Sequence, residues 1–122
     1  LSSASAVTGR YAENLACLEL VRCGYEIVAR NVRCGRGELD IIARHDGALV
    51  FVEVKSRRGG VHPAAFAESV SPRKQLLVRR AAFRYLCSHC RTADVQCRFD
   101  VVLVVFPGGP GTPSATLIRD AF

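Results

Sequence analysis

The sequence predicts an α/β fold with its elements in the order α-β-β-β-α-β, followed by a short edge strand. Three features carry this prediction: apolar residues at helical spacing as far as Gly24, an Asp46-Gly47 pair between two alternating apolar stretches, and a Ser71-Pro72 helix start whose helix leads to the apolar run Val101 to Phe106. A chain of 122 residues has room for one buried core and no second one, so fold and function must share the same elements.

Leu1 to Ala6 show neither periodicity nor charge, and residues 1–8 are expected to form a flexible arm ahead of one domain spanning 9–122. Thr8 is placed to cap a helix that runs through Leu15, Ala16, Leu20 and Val21 and stops at Gly24. Tyr25 to Asn31 alternates as a strand, and the glycine-bearing turn Arg33-Cys34-Gly35-Arg36-Gly37 separates it from a second strand, Glu38 to Arg44. Ala48 to Lys55 returns as a third strand. From Ser56 to Val70 the composition shifts to small residues, Gly and Pro without a period, which predicts a loop at the mouth of the site. Ser71 is a cap with proline at the first helical position, and Leu76, Leu77, Ala81, Phe83 and Leu86 are expected to form the inner face of a helix through Cys87. Gln96 to Phe106 reads as a buried strand, Pro107 to Pro113 as a loop, and Ala115 to Ile118 as the edge strand. No internal repeat or interdomain linker is visible.

Apolar residues make up 49% and charged residues 23% of the chain, a globular balance and not a disordered one. The run Val101 to Phe106 is too short to span a bilayer and no basic-then-apolar leader opens the sequence, so a soluble cytoplasmic protein is expected. Lysine and arginine exceed aspartate and glutamate by 17 to 11, a net charge of +6 that favours a polyanionic partner. The excess collects in Arg30 to Arg36, Lys55 to Arg58 and Arg73 to Arg84, although a merely solvated basic surface has the same signature. Six cysteines are expected to be free thiols. Cys87-Ser88-His89-Cys90, with Cys97 beyond, has metal-like spacing but lacks the second pair that makes a zinc site, and thiols near a helix end account for it better.

An Asp-Gly pair between alternating strands favours a type I′ turn, because both central residues need positive φ. With Asp46-Gly47 as the centre, His45 faces Ala48, Arg44 faces Leu49, Ile42 faces Phe51, Asp40 faces Glu53 and Glu38 faces Lys55. The other face then carries Leu39, Ile41, Ala43, Val50, Val52 and Val54, all apolar. Directly opposed residues have Cβ atoms roughly 4.5–5.5 Å apart, where like charges destabilise. A divalent cation relieves that repulsion, and carboxylate oxygens suit magnesium or manganese. Lys55, on the same face, puts an ammonium beside them to orient an attacking water or stabilise charge on phosphorus. A solvated surface on which Lys55 only neutralises Glu38 and Glu53 is the competing explanation. Catalysis is favoured because Asp40 and Glu53 lie inside strongly apolar strands, where an idle charge costs free energy.

With these residues in place, the chain resembles the PD-(D/E)xK nuclease superfamily and, within it, the YraN-like family. The matching stretches are Gly9-Arg10-Tyr11-Ala12-Glu13, Gly24-Tyr25, Asn31-Val32-Arg33-Cys34, Gly37-Glu38-Leu39-Asp40-Ile41-Ile42-Ala43-Arg44, Val50-Phe51-Val52-Glu53-Val54-Lys55, Arg98-Phe99-Asp100-Val101-Val102 and Ala121-Phe122. The resemblance implies a restriction-endonuclease-like core with a mixed central sheet flanked by helices. It also implies that Asp40 and Glu53 hold Mg2+ or Mn2+ with the Val54 carbonyl, that Lys55 serves the attacking water, and that Glu13 is a further site acid. Glu13 shares a helical face with Ala16, Cys17 and Leu20 and so points inward, in agreement. Gln75 matches a polar position near the site of related nucleases, and an exposed helix residue explains it equally well. Leu39 stands where the superfamily has its signature proline.

The leading expectation is a magnesium-dependent endonuclease that hydrolyses phosphodiester bonds in DNA, structured or branched DNA included, by direct attack of water on phosphorus. Arg33, Arg36, Arg57, Arg58, Arg73 and Lys74 would grip phosphates around the mouth. The alternative is a nucleic-acid-binding protein that keeps the fold without cleaving, and a third is an interaction protein whose hairpin forms a homodimer surface. The acids favour the first, since they repel phosphate unless a cation intervenes. No membrane partner is expected.

Overall fold

The Asp46-Gly47 bend sets the sheet. Both residues have positive φ, 49° and 78°, as a type I′ turn demands, and the twist of such a turn matches that of the strands it joins. The computed structural model describes residues 4–59, 70–90 and 95–122, with residues 4–7 described by their backbone alone. In it the bend joins β2 (Gly37–His45) to β3 (Ala48–Arg58), and the predicted pairs His45↔Ala48, Arg44↔Leu49 and Ile42↔Phe51 all form.

The remaining elements are α1 (Ala4–Arg22), β1 (Glu26–Cys34), α2 (Pro72–His89), β4 (Cys97–Phe106) and β5 (Ser114–Ile118). They make a five-stranded sheet in the order β1-β2-β3-β4-β5, antiparallel except where β4 lies parallel to β3. A parallel neighbour needs a crossover, and α2 lies in the β3-to-β4 connection. The architecture is thus the predicted α/β class, a mixed sheet flanked by two helices with the α-β-β-β-α-β order at its core. No helix among the described residues is long and apolar enough to cross a membrane.

Two apolar layers cover the sheet. On one face Ala12, Ala16 and Leu20 of α1 pack on Ile41, Ala43, Val50, Val52, Val102 and Val104; on the other Val78, Ala81, Ala82 and Tyr85 of α2 pack on Leu39, Ile42, Leu49 and Phe51. Alanines at the contacts let both helices approach closely. Gly37 does the same for the β1–β2 turn, where an added Cβ would lie 3.1 Å from that of Ala81.

The structure corrects several expectations. Helix α1 begins at Ala4, so Thr8 lies within it and does not cap it. Strand β3 continues through Arg58, which shortens the expected loop, and residues 60–69 of that loop lie outside the described residues. Ser71 does cap α2, accepting from the Lys74 backbone N–H at 3.2 Å. The inner face of α2 is the stripe Val78, Ala81, Ala82 and Tyr85, whereas Leu76, Leu77 and Phe83 are 48%, 41% and 67% exposed. Ala81 faces inward as predicted and Leu86 packs against the same layer, while Val78, Ala82 and Tyr85 take the places expected of Leu76, Leu77 and Phe83. All six cysteines are free, and no metal-holding group of three or more His, Cys, Asp or Glu residues occurs among the described residues.

Candidate active site

The acid pair forms where the β2–β3 ladder ends. Backbone pairing stops at Ile41↔Val52, so neither Asp40 and Glu53 nor Glu38 and Lys55 are ladder partners as the register predicts. Beyond that rung the Val54 N–H has no β2 carbonyl, and the Asp40 carboxylate takes it instead, with Oδ2 accepting at 2.9 Å. A charge-assisted bond to a backbone donor fixes Asp40 in one orientation.

The side-chain alternation of β2 also breaks here. Leu39 and Ile42 pack on the α2 face and Ile41 on the α1 face, so Leu39 is not on the side predicted for it. The neighbouring strand breaks at the same place. Ala29 and Val32 both face α2, and between them Asn31 sits at φ 53°. Asn31 lies opposite Asp40, between the pairs Arg30↔Ile41 and Val32↔Leu39. Asparagine is among the few non-glycine residues that tolerate the left-handed region.

Glu53 is 4% exposed. Two ammonium groups approach its Oε1, Lys74 Nζ at 3.4 Å and Lys55 Nζ at 3.9 Å. They lower its proton affinity, but burial and then the adjacent Asp40 carboxylate outweigh them, so its pKa is pushed up to about 7. A buried acid beside a second acid is the electrostatic condition that a hard cation relieves. Lys74 reaches the pair from the first turn of α2, closer than Lys55. The sequence places it only among phosphate-gripping residues; its position three residues after a Ser-Pro helix start was the available signal.

The other predicted residues are distributed as follows. Glu13 faces inward from α1; its Oε2 is buried without a hydrogen-bond partner, and Arg30 Nη2 lies 3.7 Å from it. Arg30 pairs with Ile41, one residue from Asp40, but Glu13 does not gather with Asp40 and Glu53 into a group of three. Val54 contributes the N–H already described. Arg33 and Arg36 flank the β1–β2 turn, Arg57 and Arg58 end β3, and Arg73 opens α2; all five are exposed. Gln75 is not free, since its Nε2 donates to the Val70 carbonyl at 3.0 Å.

Sequence reasoning assigned no role to a second polar cluster, on the α1 face of the sheet. Asp100, 0% exposed, accepts from the Tyr25 hydroxyl at 2.6 Å, from Arg98 Nε and Nη2 at 2.9 and 3.0 Å, and from the Asp120 backbone N–H at 3.0 Å. Tyr25 stacks on His45 with ring centroids 4.1 Å apart, and Arg98 Nη2 lies 3.0 Å from His45 Nδ1. Every lone pair of the buried carboxylate is used, which makes this a structural knot. The signal for it was an aspartate inside the apolar stretch Phe99 to Val105.

A model of the uncharacterised protein family UPF0102 matches residues 12–104. A UPF0102 protein of Caldicellulosiruptor bescii is 41% identical over 114 residues, which cover 93% of this chain and 95% of the relative. One from Symbiobacterium thermophilum is 44% identical over 114 residues, 93% of this chain and 94% of the relative. One from Roseiflexus castenholzii is 44% identical over 96 residues, 79% and 77% of the two chains.

Proposed function

The chain belongs to the uncharacterised protein family UPF0102, the YraN family, and we propose that it is a metal-dependent nuclease hydrolysing phosphodiester bonds in DNA, with residues 9–122 forming the nuclease-like domain. The observation that carries this is Glu53, a buried carboxylate held against Asp40 at the end of a ladder, with two lysines alongside. The donor set fits a hard divalent ion. Asp40 and Glu53 offer carboxylate oxygens, and burial with the adjacent Asp40 raises the cost of charge on Glu53. Asp40, Glu53 and the Val54 carbonyl would hold Mg2+ or Mn2+, whereas Glu13, on the α1 side and 3.7 Å from Arg30, is not gathered with them. Such an ion supplies Lewis-acid stabilisation of the phosphate and a more acidic water.

The chain's own groups do the remaining work. The Val54 N–H holds Asp40 in place, so its position does not have to be found on binding. Burial excludes water from Glu53 and strengthens each charge interaction around it. Lys55 and Lys74 bring ammonium groups to the spot where negative charge grows on phosphorus. The exposed arginines at the β1–β2 turn, the end of β3 and the start of α2 hold the flanking phosphates.

The test is incubation of the purified protein with Mg2+ or Mn2+ and a panel of duplex, single-stranded and branched DNA. Cleavage is expected, falling by at least about a hundredfold in Asp40→Asn and Glu53→Gln, the scale of losing a main electrostatic contributor. Absence of cleavage on every topology by folded protein rejects the reading. A second reading, a non-catalytic nucleic-acid-binding protein, draws on Lys74, which partly neutralises Glu53 without an ion. It expects salt-sensitive binding that persists in both variants and no cleavage.

A further inference from the structure

We propose that the outward face of α2 is a docking surface for single-stranded nucleic acid, on which an unpaired base stacks on Phe83 while Arg80 and Arg84 hold the adjacent phosphates. This deepens the nuclease reading and rests on it for the kind of polymer bound.

Phe83 is 67% exposed on a helix whose opposite stripe is fully packed. Leu76 and Leu77 are also exposed on this helix, and scattered exposed apolar residues need no explanation, but Phe83 is set among guanidinium groups. With Arg79, Arg80 and Arg84 it lines a shallow hollow of about 370 Å³. It also borders a second hollow, of about 410 Å³, between α2 and the β1–β2 turn. Helix α2 carries four arginines and one lysine and no acidic residue. Among the described residues Arg80 and Arg84 form no ion pair. Arg79 is different: it folds across the Phe99 ring, 4.7 Å from its centroid, and is committed to packing.

Arg84 borders the β1–β2 turn. Its side chain lies over Gly35 of the β1–β2 turn, so closely that a Cβ there would come within 2.9 Å of Nε. The first turn of the same helix delivers Lys74 to Glu53 at 3.4 Å. Phe83 lies nine positions beyond Lys74, about 13 Å along the helix axis and about half a turn round it, so this surface and the acid pair lie on different sides of α2.

The chemistry selects the occupant. A second copy of this chain would set arginines against arginines. An acidic peptide would satisfy the guanidiniums but leave the phenyl ring without a flat partner. In a duplex the base faces are already stacked on their neighbours. A single strand offers both a phosphate charge and a free base face, the combination that aromatic and basic surfaces bind without regard to sequence.

The experiment is fluorescence anisotropy with a labelled oligonucleotide, single-stranded or as duplex, across a salt series. Wild type is compared with Phe83→Ala, Phe83→Tyr, Arg80→Gln and Arg84→Gln. Base stacking worth about 1–3 kcal/mol corresponds to a loss of single-strand affinity of roughly 5- to 150-fold in Phe83→Ala, with Phe83→Tyr close to wild type. Each arginine variant should flatten the log–log salt slope by about 0.7. The exposure of Phe83 protects the fold from its removal. Equal single-strand binding by wild type and Phe83→Ala overturns the proposal, as does an acidic peptide of matched charge that competes as well as the oligonucleotide. Cleavage is scored separately on the same variants. Cleavage without Phe83-dependent binding sinks this inference alone, and Phe83-dependent binding without cleavage sinks the nuclease reading alone.

Discussion

Burial and the neighbouring Asp40 set how Glu53 titrates. Its raised pKa, about 7 against an ordinary 4.5, means that between those values the folded chain binds a proton that the unfolded chain has released. Stability contributed by the protonated acid is therefore full below about pH 4.5 and lost as pH rises through about 7. The cation-free protein should unfold at lower urea at pH 8 than at pH 5, and Glu53→Gln should remove most of that difference, on the order of 1–3 kcal/mol. Urea titrations in chelator at the two pH values measure it; a Glu53→Gln variant with undiminished pH dependence counts against the assignment. Asp100 is the opposite case, a buried acid whose partners all donate to it. Asp100→Ala should cost about 3–5 kcal/mol, because it leaves the Arg98 guanidinium and the Tyr25 hydroxyl facing an empty place. Chemical denaturation at pH 7 reads this directly, and a loss below 1 kcal/mol would show the knot to be idle.

At the scale of the elements, what the sequence revealed depended on whether a local rule decided the outcome. Asp46-Gly47 has few turns open to it, so the bend and the register of its first rungs were legible. The break at Asp40 was not, because a period of two has no mark for the point where a strand changes face. Only Asn31, a residue tolerant of positive φ, hinted at it. Helix α2 was legible in its cap, its length and two inward residues, Ala81 and Leu86, but not in the rest of its facing, since Leu76, Leu77 and Phe83 outweigh Ala82 on any apolar scale. Lys74 was placed by that facing, and so its approach to Glu53 was hidden too. If the Asn31 backbone carries the break that turns Asp40 toward Val54, Asn31→Gly should be close to neutral. Asn31→Val should cost about 1–3 kcal/mol, because a β-branched residue strains at φ 53°. The valine variant should also bind Mn2+ more weakly while the glycine variant does not. Calorimetric titration of both with Mn2+ checks this, and equal affinities would detach Asn31 from the site.

Across the whole molecule, the sheet separates two polar clusters that lie almost back to back. Val52, the residue before Glu53, pairs with Asp100, yet Glu53 turns toward Lys74 on α2 and Asp100 toward Tyr25 in the α1 layer. The two share no hydrogen-bonding partner, so one can be weakened without disturbing the other. A ligand that binds only the folded chain stabilises all of it, by about 2.7 kcal/mol at a hundred times its Kd. For a domain of this size that is a rise in Tm of roughly 10 °C. Mg2+ or Mn2+ should produce this rise in the wild type and not in Glu53→Gln. Tyr25→Phe removes a donor from Asp100 and should lower Tm, yet its cation-dependent rise should match the wild type. Differential scanning calorimetry with and without cation separates the outcomes. A full rise in Glu53→Gln would move the ion elsewhere, and a lost rise in Tyr25→Phe would mean that the clusters communicate through the sheet.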